Sequence, residues 1–134
     1  MPYVIRTKSV FEKMDRSDDG LRILACRHTP QGVKGTRWDI WMANLAPSDP
    51  LRKALRSGEI NWREFSKRYN EELFQPAPMD EHNGKSKNYG QKFTLRLIKE
   101  LARRQKITLM CTCGEDEEHC HRYLLKDIIN SAKV

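Results

Sequence analysis

Apolar residues along this chain come in short blocks, some spaced as buried strands and others as one-sided helices. Tyr3 to Arg6 is β-prone, and the polar run from Asp15 to Gly20 predicts a turn. Residues 21–26, LRILAC, are short and largely apolar, the pattern of a buried strand. Pro30, Gly32 and Gly35 make residues 27–35 a loop. The segment DIWMANL, 39–45, predicts a short helix, closed by Pro47 and Pro50.

A second helix is expected over about 50–57, with Ser48 or Asp49 as its cap, Pro50 in its first turn and Gly58 beyond its end. Asn61 caps the next, with Glu64 three residues on. There Trp62, Phe65, Tyr69 and Leu73 share one apolar face, and Pro76 and Pro78 stop the helix. Residues 79–92 are a polar loop. Phe93, Leu97, Ile98 and Leu101 then mark an amphipathic helix whose end carries Arg103, Arg104 and Lys106, as the helix dipole favours. ITLMC, 107–111, is the strongest strand signal, and a last helix over about 120–132 turns Leu124, Leu125, Ile128 and Ile129 inward.

Strands alternating with helices predict an α/β fold: a single small layered domain over residues 1–134, with a short, mostly parallel sheet flanked by helices. A chain of 134 residues can bury enough surface to fold without staples. No stretch nears the roughly 18 apolar residues of a membrane helix, and the first residues lack the apolar core of a signal peptide, so no membrane association is expected. The expected compartment is the cytoplasm, with the four cysteines reduced.

Charge sharpens this picture. The net charge is +7, yet residues 111–134 hold three Lys and Arg against five Asp and Glu. The basic body points to an anionic partner, a nucleotide or nucleic acid. The best place for it follows the last strand, where Cys111, Cys113, His119, Cys120, His121 and Arg122 crowd into twelve residues. Ligands of open α/β sheets gather at the carboxyl ends of strands, and a helix start offers free N–H groups to anions.

Three chemistries compete for that cluster. In the first, the ligand-binding set is His119, Cys120, His121 and Arg122, joined by Arg27 and Arg37 from the other loop, with Arg suited to bidentate anion recognition. The acidic run Glu115 to Glu118 opposes this unless it turns toward the helix start. In the second, Cys111, Cys113 and Cys120 hold zinc, with His119 or His121 as a fourth ligand; one residue between Cys111 and Cys113 departs from the usual two to four. In the third, Cys120 is a reactive thiol at a helix start. A cysteine-phosphatase loop is excluded, since Glu117 and His119 stand where Arg would follow Cys111 and Cys113 by six. Simple packing also accounts for these residues taken singly: Cys111 ends a strand, and Cys120 and His121 continue the helix's apolar face. Lys85, Lys87 and Lys92 around Tyr89 form a further basic loop, suited to phosphate or a strand of nucleic acid.

The blocks RILACRHTPQGVKGTRWDIWMANLAPSDPLRKAL, WREFSKRYNEEL and ITLMCTCGEDEEHCHRYLL together resemble the domain-of-unknown-function 488 family, in its shorter branch, over about residues 20–130. The most specific parts are LAPS followed by LR, the W-x-x-F-x-x-x-Y helix, and the closing E-H-C-H-R. The resemblance implies a compact α/β sandwich and singles out Arg27, Pro30 and Gly32 in the first loop and His119, Cys120, His121 and Arg122 in the last. It implies no particular reaction. The family often has Asp before the Arg of the first loop; Cys26 stands there in this chain, so a hydrolytic mechanism built on that acid has no residue to perform it.

The expected function is therefore binding of an anionic ligand at converging 27–37 and 111–122 loops. The alternatives are a zinc-binding module and a non-catalytic domain that uses its basic face on nucleic acid.

Overall fold

Strand β4 (Ile107–Cys111) is buried from end to end, which places it inside a sheet rather than at its edge. In the computed structural model, which describes residues 4–75, 90–113 and 119–134, β4 lies between β1 (Ile5–Ser9) and β2 (Leu21–Leu24), and β3 (Ile40–Trp41) closes the far side of β2. The order is β1-β4-β2-β3 and every pairing is parallel, so all four carboxyl ends open on one edge. The α/β layering expected from the sequence is thus observed. Register pairs Ile5 and Leu21 with Ile107, and Leu24 with Met110.

Polar groups within the sheet are satisfied locally. Thr108 Oγ1 donates to the Asp19 carbonyl at 2.7 Å. Arg22, 3% exposed, forms an ion pair of 3.2 Å with Asp39 and donates to the Thr36 carbonyl. Arg22 lowers the Asp39 carboxyl pKa below the usual range by its side-chain hydrogen bond.

Helices α2 (Asp49–Arg56), α3 (Trp62–Phe74), α4 (Lys92–Leu101) and α5 (His121–Asn130) cover the sheet. The caps are those the sequence predicts: Ser48 Oγ accepts from the Leu51 N–H and Asn61 Oδ1 from the Glu64 N–H. Phe65, Tyr69 and Leu73 of α3 and Leu125, Ile128 and Ile129 of α5 enter one main core with Ile23 and Leu109. A second apolar cluster sits at the carboxyl edge, where Val10, Leu24, Cys26, Met110, Cys111 and Cys120 meet Val33 and Trp38.

Three expectations need correction. Residues 39–45 are not a helix: Ile40 and Trp41 pair with Ile23 and Leu24, the Trp41 indole N–H donates to the Cys26 carbonyl at 2.7 Å, and a single 3-10 turn, Ala43–Leu45, follows. The open edge of β2 captures this segment, overriding its weak local preference. On α4, Leu95 and Ile98 are buried while Phe93 and Leu97 are more than half exposed. The buried stripe runs Leu95, Ile98, Ala102, another spacing of three and four. The polar run after Asp15 is more than a turn, forming the one-turn helix α1 (Arg16–Asp19), capped by Asp15 and ended by Gly20 at φ 64°. Tyr3, the basic segment with Lys85, Lys87 and Tyr89, expected as a loop, and the acidic run Glu115 to Glu118 lie outside the described residues. Among the described residues no helix is long and apolar enough to cross a membrane.

Candidate functional site

Parallel pairing sets the ends of β2 and β4 side by side, and the Ala25 N–H continues the ladder to the Met110 carbonyl at 2.8 Å. Cys120 stands at the N-cap of α5, with His121 as the first helical residue. His121 Nε2 lies 2.5 Å from the Ala25 carbonyl oxygen. A carbonyl only accepts, so Nε2 carries the proton and Nδ1 is left as the basic atom, 4.0 Å from Cys120 Sγ. Burial pushes the His121 pKa below its ordinary value, against the opposing effect of the Ala25 bond. The ring meets Tyr69 edge-on at 5.9 Å, and Tyr69 in turn donates to the Leu45 carbonyl.

Beside His121, the Sγ atoms of Cys111, Cys113 and Cys120 all lie within 4.8 Å of one another, close enough to hold a metal ion. Cys111 and Cys120 are the tightest pair, 2.9 Å apart and buried, while Cys113 is half-buried. All four cysteines, Cys26 included, are free thiols. Hydrogen bonds from Cys111 and Cys120 hold the Cys113 thiol well below its ordinary pKa. Cys111 is pushed far up by its bonds to Cys113 and Cys120 and by burial. Cys120 is pushed up to about 12: its bond to Cys111 lowers it, but its bond to Cys113 and burial prevail. The three thiols titrate as an interacting set in which Cys113 is the one favoured to lose its proton first.

Arg122 is 2% exposed and not a solvated surface residue. Its Nη1 donates to Cys111 Sγ at 2.9 Å and to the Cys113 carbonyl at 3.4 Å, and its Nη2 to the Tyr123 hydroxyl at 2.8 Å. The guanidinium also lies 4.7 Å above the Tyr123 ring.

The thiols and imidazoles open on a cleft of about 510 Å³. Thr112, Cys113, His119, Cys120 and His121 line one side; Pro47, Phe65 and two arginines of α2, Arg52 and Arg56, line the other. Among the described residues neither arginine forms an ion pair. His119 stacks on Trp62 at 4.7 Å and 14°, and Trp62 stacks on Phe65.

Of the residues singled out from sequence, Cys111, Cys113, Cys120, His121 and Arg122 form one cluster, and His119 joins the cleft. The 27–37 loop reaches this region through Val33, which packs on the thiol-bearing apolar cluster. Its arginines point elsewhere. Arg27 Nη2 donates to the Ala46 carbonyl at 2.9 Å, and the side chain lines a smaller cleft with Ser48 and Glu72. Arg37 donates to the Val10 and Glu12 carbonyls at 2.8 and 2.7 Å, fastening the segment after β1. Sequence reasoning missed Arg52 and Arg56. The available signal was the LAPS-then-LR block, whose Arg is Arg52, together with its i,i+4 partner on a helix that buries Leu51 and Ala54 on another face.

The family model described as the Active DUF488-N3 subclade matches residues 5–133. The uncharacterized protein YeaO of Escherichia coli is 30% identical over 129 residues, covering 95% of this chain and 97% of its own length. The uncharacterized protein Rv3073c of Mycobacterium tuberculosis is 37% identical over 79 residues, 58% of this chain, and the match spans 66% of that protein. No solved structure matches the chain.

Proposed function

Because the chain belongs to the active DUF488-N3 subclade, we propose that its α2–α5 cleft binds an anionic ligand, a nucleotide or nucleic acid, and acts on it. One observation carries this reading: Arg52 and Arg56, free of ion pairs among the described residues, face the half-buried Cys113 and the start of α5 across a cleft of about 510 Å³. A guanidinium pair opposite a helix N-terminus complements phosphate or carboxylate from two sides. The aromatic stack of His119, Trp62 and Phe65 offers a flat surface for a base. Membership of an active subclade supports chemistry at the site, and Cys113, half-buried in the cleft with its thiol pKa lowered by hydrogen bonds from Cys111 and Cys120, is the candidate nucleophile. The reading places the protein in the cytoplasm, the compartment expected to keep such thiols reduced.

The test is a titration with nucleoside triphosphates and short oligonucleotides at stepped salt. Saturable binding lost on Arg52→Ala supports the cleft. Binding that falls steeply with salt but ignores Arg52 supports the non-catalytic nucleic-acid reading instead.

Zinc on Cys111, Cys113 and Cys120 is a second reading, favoured by their mutual reach and by the unprotonated Nδ1 of His121, 4.0 Å from Cys120 Sγ. Two thiolates on a tetrahedral zinc stand about 3.7 Å apart. Cys111 and Cys120 would therefore have to separate from their 2.9 Å contact. Stoichiometric zinc in the purified protein, with unfolding in chelator, is its signature.

A further inference from the structure

We propose that Cys111, Cys113 and Cys120 form a redox centre that reduces a hydroperoxide, with Cys113 as the attacking sulfur and a Cys111–Cys120 disulfide as the oxidised product. The inference does not depend on the anionic ligand, since it uses neither Arg52 nor Arg56.

The placement of the three sulfurs carries it. A disulfide needs an S–S distance of about 2.05 Å. Cys111 and Cys120 already stand at 2.9 Å, one fixed by the central strand and the other by the cap of α5. Both are buried, at 0% and 1% exposure, and although Cys120 borders the cleft it presents almost no surface to an oxidant in solution. Cys113 lines the open cleft and has its sulfur within 4.8 Å of both. One half-buried, cleft-facing thiol therefore adjoins a buried pair. Arg122 Nη1 and the Cys113 N–H both donate to Cys111 Sγ, at 2.9 and 3.3 Å, and stabilise charge on that sulfur when it attacks.

The steps balance. The Cys113 thiolate attacks the terminal oxygen of the hydroperoxide; the O–O bond breaks, the alkoxide takes a proton from water and leaves as an alcohol, and Cys113 becomes a sulfenic acid. The Cys120 thiol attacks the Cys113 sulfur, an S–S bond forms, the S–O bond breaks, and hydroxide leaves with the thiol proton as water. Cys111 then attacks the Cys120 sulfur and displaces Cys113, which leaves as the thiolate it began as, while the Cys111 proton goes to the hydroxide formed when the alkoxide drew its proton from water. In sum, two thiols and one hydroperoxide give a disulfide, an alcohol and water. A small-molecule dithiol reverses the oxidation by exchange.

The test treats the full chain with hydrogen peroxide and follows intact mass, peroxide consumption and peptide maps. The expected results are loss of two hydrogens restored by dithiothreitol, a Cys111–Cys120 linked peptide pair, and consumption at least about tenfold slower in Cys113→Ser. In Cys120→Ser, a sulfenic acid trappable by dimedone should accumulate on Cys113. Circular dichroism on each variant shows that it is folded, and Cys26→Ser should behave as the parent. Three outcomes overturn the proposal: oxygen added without a disulfide, Cys113→Ser reacting as fast as the parent, or thiols that peroxide reaches only after chelator removes a metal.

Discussion

His121 Nε2 sits 2.5 Å from the carbonyl oxygen of Ala25, so the first residue of α5 is bonded to the chain just beyond β2. This contact ties the helix that follows β4 to the neighbouring strand and fixes which ring nitrogen faces the thiols. It also makes the fold sensitive to acid. Burial lowers the His121 pKa, so below about pH 6.5 the unfolded chain binds a proton that the folded one refuses. Stability from this residue is complete above that pH and declines as pH falls, by at most ~1.4 kcal/mol per pH unit. Urea midpoints at pH 7.5 and 5.5 should diverge in the parent chain and much less in His121→Asn.

Replacing Asp39 with Ala should cost about 3 kcal/mol, because it strands the Arg22 guanidinium in the sheet. Equilibrium unfolding in urea measures this directly, and Asp39→Asn should recover part of the loss by keeping the hydrogen bonds.

Gly20→Ala should destabilise by roughly 2 kcal/mol or more, since Gly20 adopts φ 64° and a Cβ there collides with the Lys106 carbonyl oxygen. Thermal unfolding of Gly20→Ala beside Gly58→Ala separates the two causes: Gly58 also has positive φ, at 81°, but open space around its Cβ position.

Cys113 should alkylate as a thiolate at pH values where an ordinary thiol is protonated. Its pKa is lowered by hydrogen bonds from Cys111 and Cys120, so its iodoacetamide rate should stay nearly flat from pH 8 to pH 6. A free cysteine of pKa about 8.5 loses close to tenfold per unit over much of that range. Peptide-resolved labelling checks this, and Cys120→Ser should restore part of the ordinary slope.

The layered α/β fold was legible because β4 and α5 each carry an uninterrupted apolar pattern of the right period. The caps at Ser48 and Asn61 were legible because capping is local chemistry. The β3 segment was not: Ile40 and Trp41 become a strand only because β2 offers an open edge, which local sequence does not contain. The same limit applied to the site. Cys111, Cys113, Cys120, His121 and Arg122 are close in sequence, so their clustering was visible. Arg52 and Arg56 come from about sixty residues earlier, and only the packing of α2 on α3, which also contacts α5, brings them to the cleft. Arg27 and Arg37 looked like their equals by residue type, yet Arg27 donates to the Ala46 carbonyl and Arg37 to those of Val10 and Glu12, which hold both away from the thiol cleft.

The most direct test of the proposed function is isothermal titration of a nucleoside triphosphate into the parent chain and into the Arg52→Ala, Arg56→Ala double variant. Losing two charge-assisted contacts at about 2 kcal/mol each should weaken binding by several hundredfold to about a thousandfold, with urea stability unchanged. Equal affinity in parent and double variant, or no binding by the parent of any triphosphate or oligonucleotide, would contradict a ligand seated between α2 and α5.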